Sequence, residues 1–347
     1  MILYEIFLKR FWELTMDEKI DFIVTYLDSE DTNWIKAKAE NDGSDVAEAL
    51  NSTARYRNLD NFHYWFRAVE RYAPWVNKIH LVTWGHIPEW LNTAHPKLNI
   101  IKHEDYIPEK YLPTFNSNVI ELNYDRIENL AEQFVNFNDD MFLNADTKPS
   151  DFFVNGLPKL QMMYMPIQAV EKFSTVLFNN MLVLNSLEDS TKIFNKGMYS
   201  LKNGLFATAT NLYLTPLLKY FNKFMGFYPD HLPNALLKSS MSELKESVPS
   251  FFDETSNNKF RTINDINIWL CQDYLRATGK FSPRNSFKFG QVLEIKDDQN
   301  YSSLLSSKYK VVCVNDGSEG VNDFDLEKER ILETLEKKFP VKSEFEK

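Results

Sequence analysis

Glycine is the first shortage, with 10 in 347 residues. Loops that cradle phosphate with backbone N–H groups need closely spaced glycines, and no Walker-type, Gly-x-Gly-x-x-Gly or Gly-x-Ser-x-Gly pattern is present. Phosphate must therefore be held by side chains and metal. Cysteine is scarcer still. Cys271 and Cys313 are too few for a disulfide scaffold or a thiolate zinc site and read as buried thiols in a reducing compartment. Cys-x-x-Cys and His-Glu-x-x-His are absent as well. No run approaches the roughly 20 apolar residues that span a bilayer. Positive charge is in deficit, with 39 Lys and Arg against 49 Asp and Glu, a net charge of −10. Nucleic-acid binders neutralise phosphates with an excess of cations, so no nucleic-acid partner is expected. A nucleotide gripped by a few local arginines is still allowed.

The stretch Met1–Leu14 is apolar but broken by Glu5, Lys9, Arg10 and Glu13, unlike the uninterrupted core of a signal peptide. Residues 1–15 read as an N-terminal extension, with Leu3, Phe7, Phe11 and Leu14 on one side of an interfacial or core-packing helix. A start at Met16 is a third reading. Beyond it the chain has an ordinary globular balance, 44% hydrophobic and 25% charged, and its 14% aromatic content can line a carbohydrate or nucleotide cleft.

Apolar, β-rich runs at Ile20–Leu27, Lys78–Trp84, Leu98–Ile101 and Gln133–Phe137 predict strands. Between them, Phe62, Trp65, Phe66 and Val69 follow helical spacing after an Asn58 or Asp60 cap, and a second helix is expected over Val119–Leu130. Pro88–Leu91 reads as a short helix start. The alternation predicts an α/β domain over residues 16–347, with a mostly parallel sheet and helices on both faces. Residues 150–230, rich in Phe, Leu, Met and Asn, look like a helical insertion or lid. After Pro233 the pattern predicts an amphipathic helix to about Glu246, then another over Ile263–Thr278 that Gly279 ends, a late strand Lys310–Val314 and a closing helix.

In such sheets ligands sit beyond the carboxyl ends of the strands. The residues expected there are Asp28, Glu30, Asp31, His103, Glu104, Asp105, Asp139 and Asp140. Asn138-Asp139-Asp140 is the sharpest constellation, because adjacent carboxylates at a strand end can hold a divalent cation while substrate phosphates complete its shell. An isolated Asp-Asp is more often a solvated turn; the position after a buried strand makes the two readings even. Arg55, Arg57, Arg67, Lys259 and Arg261 are the notable cations, arginine's fork matching phosphate oxygens. His231, between Pro229 and Pro233, is a candidate for proton transfer near neutrality.

The motifs occur in an order that resembles the Stealth family. Asp21-Phe-Ile-Val-Thr-Tyr-Leu-Asp28 with Asp31 and Trp34 resembles its first block. Arg55-Tyr-Arg-Asn58, Ala73-Pro-Trp75, Ile79–Thr83, Ile87–Leu91, Leu112–Phe115 and Phe137-Asn-Asp-Asp140 resemble the second. His231-Leu-Pro233 with Lys259-Phe-Arg261, and Cys313-Val-Asn-Asp316 with Phe339–Glu346, resemble the third and fourth.

The resemblance implies a Rossmann-like or GT-A-like fold and transfer of a sugar-1-phosphate from a UDP-sugar to a saccharide hydroxyl, releasing UMP. It implies Asp140, His231 and Arg261 as catalytic residues and Asp139, Asp140 and Asp316 as ligands of Mg²⁺ or Mn²⁺. It implies donor contacts from Asp28, Asp31, Arg55, Arg57 and Lys259. Two departures stand out: Asn258 and Lys259 replace the family's usual His-Arg, and Ser29 replaces a turn glycine. An oligosaccharide or lipid-linked acceptor at the cytoplasmic face of the plasma membrane suits capsule building, with residues 1–14 in a peripheral role. The alternatives are a metal-dependent glycosyltransferase releasing UDP, and a binding module using the aromatic-rich surface between Phe152 and Phe227.

Overall fold

The computed structural model describes residues 19–41, 59–170, 172–187, 196–221, 224–316 and 321–347. The N-terminal extension, the Asn58 cap, Arg55 and Arg57 lie outside the described residues.

The centre of the fold is β1 (Ile20–Tyr26), whose Phe22, Ile23 and Val24 are buried because the strand is covered on both faces. It pairs in parallel with β2 (Ile79–Thr83) on one side and β4 (Gln133–Phe137) on the other, and β2 pairs in parallel with β3 (Leu98–Lys102). The helix Phe62–Tyr72 presents Phe62, Trp65, Phe66 and Val69 to the core as their spacing predicts. Trp65 meets Phe137 edge-on at 5.6 Å, and Phe137 packs on Phe22 at 4.8 Å.

A turn of only three residues after β4 leads to β5 (Met141–Leu143), which leaves the first sheet and joins a second one. The chain then forms β6 (Phe153–Val154) and β7 (Leu157–Leu160), followed by the helices Ser174–Ser186 and Leu205–Phe221. The described residues of 150–230 are therefore largely helical, with a short hairpin before the helices. β8 (Asn234–Leu237) returns antiparallel along β4, completing the order β3-β2-β1-β4-β8. β9 (Ser282–Pro283) pairs with β7, and β10 (Gly290–Glu294) and β11 (Val311–Asn315) form the second sheet with β5. The helix Phe324–Lys338 closes the chain.

Several boundaries differ from expectation. Asn-Ala-Leu-Leu after Pro233 is a strand, because its four side chains are buried beside the open edge of β4, and the helix starts only at Lys238. The helix expected over Val119–Leu130 spans Ser117–Leu122 and gives way to a 3₁₀ turn at Tyr124–Arg126. Pro88–Leu91 forms a turn and a single bridge to Glu346. The helix before Gly279 begins at Trp269, and Gly279 ends it in the left-handed conformation at φ 72°. β5, β6, β7, β9 and β10 were not expected.

Beneath the sheet, Asp21 is fully buried and accepts from Asn77 Nδ2 (2.6 Å), Lys78 N (3.1 Å) and Ala131 N (2.8 Å), while His80 Nε2 lies 2.9 Å from it. Burial raises this carboxyl, but the bonds from His80, Asn77 and Ala131 outweigh it and hold the group below its ordinary 3.8. Its stabilising contribution is therefore present above about pH 4 and lost as pH falls through the lower folded value. Asp21→Ala leaves these donors buried without their acceptor and should cost ~3–5 kcal/mol in urea unfolding at pH 7. A loss below 1 kcal/mol would show that the four donors are satisfied elsewhere.

Candidate active site

The antiparallel return of β8 has a direct chemical consequence. Asn234 at its start is opposite Asn136 near the end of β4, so the preceding His231 reaches the same edge as Asn138-Asp139-Asp140. The second sheet supplies the other side. β11 pairs antiparallel with β5, placing Cys313 opposite Met141, and Val314 N donates to Asp140 O at 2.8 Å. The strand ends in Asn315, and Asp316 follows it. Parallel β10 ends at the same level in Glu294, whose carboxylate accepts from Asn315 Nδ2 at 2.8 Å.

These elements enclose a cleft of about 690 Å³. It is within the ~300–1,000 Å³ typical of small-molecule sites. Asp139, Asp140, His231, Arg261 and Asp316, expected from separate stretches of the sequence, all line it. His103 also lines it, and burial lowers its imidazole to about 3, keeping the ring neutral. The His231 ring meets Trp269 nearly edge-on at 5.9 Å.

The structure moves three expected donor contacts out of the lining. Asp31 caps the helix Thr32–Asn41, accepting from Asn33 N at 2.8 Å and Trp34 N at 2.9 Å. Asp28 accepts from Glu30 N at 3.0 Å and braces the same loop. Lys259 is exposed and donates to Asn41 Oδ1 at 2.6 Å. What reaches the cleft from this region is Trp34, packed against Phe115, which stacks on Phe260. Glu30, Glu104 and Asp105, at the strand ends, also do not line the cleft; Asp105 caps a turn by accepting from Lys102 N at 2.7 Å. Arg67 lies outside it too, paired with Glu346 at 2.8 Å.

Arg261 is aimed by an arrangement that sequence reasoning missed. Its Nη2 and Nε donate to Ser117 Oγ at 2.6 and 3.1 Å. The loop beneath it is held by fully buried Asp265, which accepts from Asn116 Nδ2 (2.7 Å), Asn118 Nδ2 (3.0 Å), Asn258 Nδ2 (2.8 Å) and Thr262 N and Oγ1 (3.1 and 2.8 Å). Asn258, one of the two departures from the family pattern, is thus a structural donor. Glu121 also lines the cleft; burial raises its carboxyl to about 7 against the opposing pull of Arg261.

Burial pushes Asp140 up to about 6, partly offset by the Cys313 thiol, which donates to Asp140 Oδ2 at 3.3 Å. The cleft walls desolvate Asp139 in part, and with the adjacent Asp140 they raise its carboxyl to about 7. Burial raises Cys313 well above its ordinary value, so the sulfur stays a thiol. The carboxylates suit an oxygen-seeking cation such as Mg²⁺ or Mn²⁺. Asp140 Oδ1 is buried without a hydrogen-bond partner, and ligand atoms of Asp140, His231 and Cys313 lie within 4.8 Å of one another.

An acidic cleft at the carboxyl edge of a parallel sheet, flanked by an arginine and a histidine, offers the groups that α/β group-transfer enzymes use. The family model described as Stealth protein CR2, conserved region 2, matches residues 55–160. The capsular polysaccharide phosphotransferase WcwK of Streptococcus pneumoniae is 43% identical over 95% of this chain and 98% of its own. The receptor polysaccharide phosphotransferase WefC of Streptococcus gordonii is 38% identical over 95% and 100%. The exopolysaccharide phosphotransferase cps2G of Lactiplantibacillus plantarum is 36% identical over 94% and 96%. The chain belongs to the Stealth family, and it is an enzyme of the phosphotransferase class. Among solved structures, the galactosyltransferase LgtC with donor and acceptor sugar analogues aligns over 93% of this chain and 98% of its own, at 12% identity and a TM-score of 0.38. That likeness is too loose to bear on the chemistry, and the α/β class rests on the sheet itself.

Two outcomes follow. Raised carboxyls penalise the folded state increasingly as pH rises from about 4 through the folded values near 6–7, and a cation relieves the penalty only where its ligands are deprotonated. Mn²⁺ should therefore raise the melting temperature more at pH 8 than at pH 5.5, and Asp140→Asn should remove the difference; an equal shift at both pH values would count against the site. Asp265→Ala should lower turnover by ~10²-fold through misplacement of Arg261. Turnover unchanged in a folded variant would show that Ser117 alone suffices.

Proposed function

We propose that this protein transfers a hexose- or N-acetylhexosamine-1-phosphate from a UDP-sugar to a hydroxyl of a second saccharide, building a phosphodiester into a capsular or other cell-surface polysaccharide. The observation that carries the reading is the convergence of Asp140, His231, Arg261 and Asp316 on one cleft, in a chain whose relatives are named polysaccharide phosphotransferases.

The acceptor oxygen attacks the β-phosphorus of the donor in line, and the bond from that phosphorus to the UMP oxygen breaks. UMP leaves with the electron pair, and the sugar C1–O bond is untouched, so the anomeric configuration is retained. His231 takes the acceptor's proton, and the carboxylate of Asp140, beside it in the cleft, favours the imidazolium that forms. Arg261, steadied by Ser117 and Glu121, offsets charge on the transferring phosphoryl oxygens. A divalent cation, Mg²⁺ or Mn²⁺, held by Asp140 with Asp139 and Asp316, would supply further positive charge against the diphosphate.

Cys313 keeps Asp140 oriented through the thiol bond, and Trp34 and Trp269 add apolar lining to the cleft. Asp28 and Asp31 serve the donor by bracing the loop that carries Trp34. Donor contacts from Arg55 and Arg57 belong to the same proposal, as does a lipid-linked acceptor met at the cytoplasmic face of the membrane. Among the described residues no helix is long and apolar enough to cross a membrane.

Separation of the nucleotides released from a panel of UDP-sugars, with Mn²⁺ and oligosaccharide acceptors, tests the reading. UMP is expected, and UDP would reassign the cleft to glycosyl transfer. Asp140→Ala should abolish release, and His231→Ala should lower it by ~10²–10⁴-fold at neutral pH and above, the deficit shrinking at low pH, where the wild-type imidazole is itself protonated and cannot act as base. Near-normal turnover in His231→Ala would remove that role.

A further inference from the structure

The helix Leu205–Phe221 is inside out. Its buried face carries Thr208, Asn211 and Thr215 beside Ala207 and Leu218. That polarity is fully used. Asn211 Nδ2 donates to Met162 O and Met198 O at 2.9 and 2.8 Å, its Oδ1 accepts from Tyr164 N at 2.8 Å, and Thr208 Oγ1 donates to Ser200 O at 2.9 Å. The opposite face is the apolar one. Leu205 (78%), Phe206 (67%), Tyr213 (82%) and Tyr220 (83%) are exposed, with Leu212, Leu217 and Phe221 in the same helical stripe and Leu201 (71%) just before it. Surface helices of soluble domains are arranged the other way round. So large an apolar face has an occupant.

Charge identifies it. The chain as a whole is acidic, yet between Lys196 and Pro229 it has four lysines and no acidic residue. Lys196, Lys202 and Lys219 are exposed around the stripe. A second copy of this chain, meeting the patch through a two-fold axis, would set lysines against the same lysines. An anionic lipid surface meets both halves of the pattern: phosphate headgroups for the lysines, and an acyl boundary for Leu205, Phe206, Leu212 and Leu217. Tyr199, Tyr213 and Tyr220 have the amphipathic rings that settle at headgroup depth. We propose that the apolar face of helix Leu205–Phe221 lies in the interfacial layer of an anionic membrane and docks the enzyme there.

This surface shares no residue with the lining of the cleft, and it does not depend on the proposed chemistry. The full chain is tested by flotation with vesicles of phosphatidylglycerol and phosphatidylcholine in equal parts, and with phosphatidylcholine alone. Binding is expected to the anionic vesicles, falling at least tenfold between low salt and 0.5 M salt as screening shortens the reach of the lysines (a Debye length of roughly 10 Å at 0.1 M). Leu212→Glu/Tyr213→Glu/Tyr220→Glu should lose binding at least tenfold while its far-UV circular dichroism is unchanged. Should that variant misfold, Lys196→Gln/Lys202→Gln/Lys219→Gln decides, with the same loss expected on anionic vesicles. Three results overturn the proposal: wild-type protein that floats with neither vesicle, folded variants that float like the wild type, or a wild-type dimer that the glutamate variant splits into monomers.

Discussion

The turn Asn138-Asp139-Asp140 joins two sheets, and the rest of the site depends on how it is clamped. Three residues separate β4 from β5, so the chain leaves the parallel sheet and enters the second one with almost no slack. Pairing of β5 with β11 then fixes Asp140 from both sides, by the main-chain bond from Val314 and the thiol bond from Cys313. The clamp forces a carboxylate into a desolvated position where its proton affinity rises. Such a group is poorly satisfied by the protein alone and well satisfied by a cation, which makes this point of the fold a sink for positive charge.

The other half of the site is held by a different kind of bond. Asp265 collects five hydrogen bonds in a buried position, from residues on both sides of the cleft wall, and through them sets the loop bearing Arg261 against Ser117. An arginine on a free loop would spread its charge over many rotamers. Tied to Ser117, with Glu121 behind it, it presents one orientation to the cleft. The acidic turn and the basic loop are thus both rigid, and both are rigid because of neutral or carboxylate partners that carry no chemistry of their own.

The helical region between β7 and β8 follows another logic. Its interior is lined by asparagine and threonine bonded to main-chain groups, a pattern that fixes orientation without a large apolar contact, and this frees the leucines and tyrosines for the outside. The same chain thereby separates a charged cleft from an apolar, lysine-rimmed face.

Much of the centre was legible in sequence because its signals are local. A strand buried on both faces is a continuous apolar run, as in Ile20–Tyr26, and the spacing of Phe62, Trp65, Phe66 and Val69 can only be a helix face. The order of the motifs was enough to point to the family, and Asp139, Asp140, His231, Arg261 and Asp316 were each visible as residues. The four-residue strand Asn234–Leu237 was not, since a short apolar run is helical or extended according to what lies beside it, and the open edge of β4 decided. For the same reason the sequence did not show that Asp28, Asp31 and Lys259 bond within the protein to a turn, a helix N-terminus and Asn41. Glu121, Ser117 and Asp265 had no signal at all: one glutamate in a helix resembles any other until Arg261 is brought against it. Local periodicity determined the elements and the chemistry on offer; which carboxylates lost water, which arginine was aimed and which helix face stayed outside were set by long-range pairing, which no single stretch of the chain encodes.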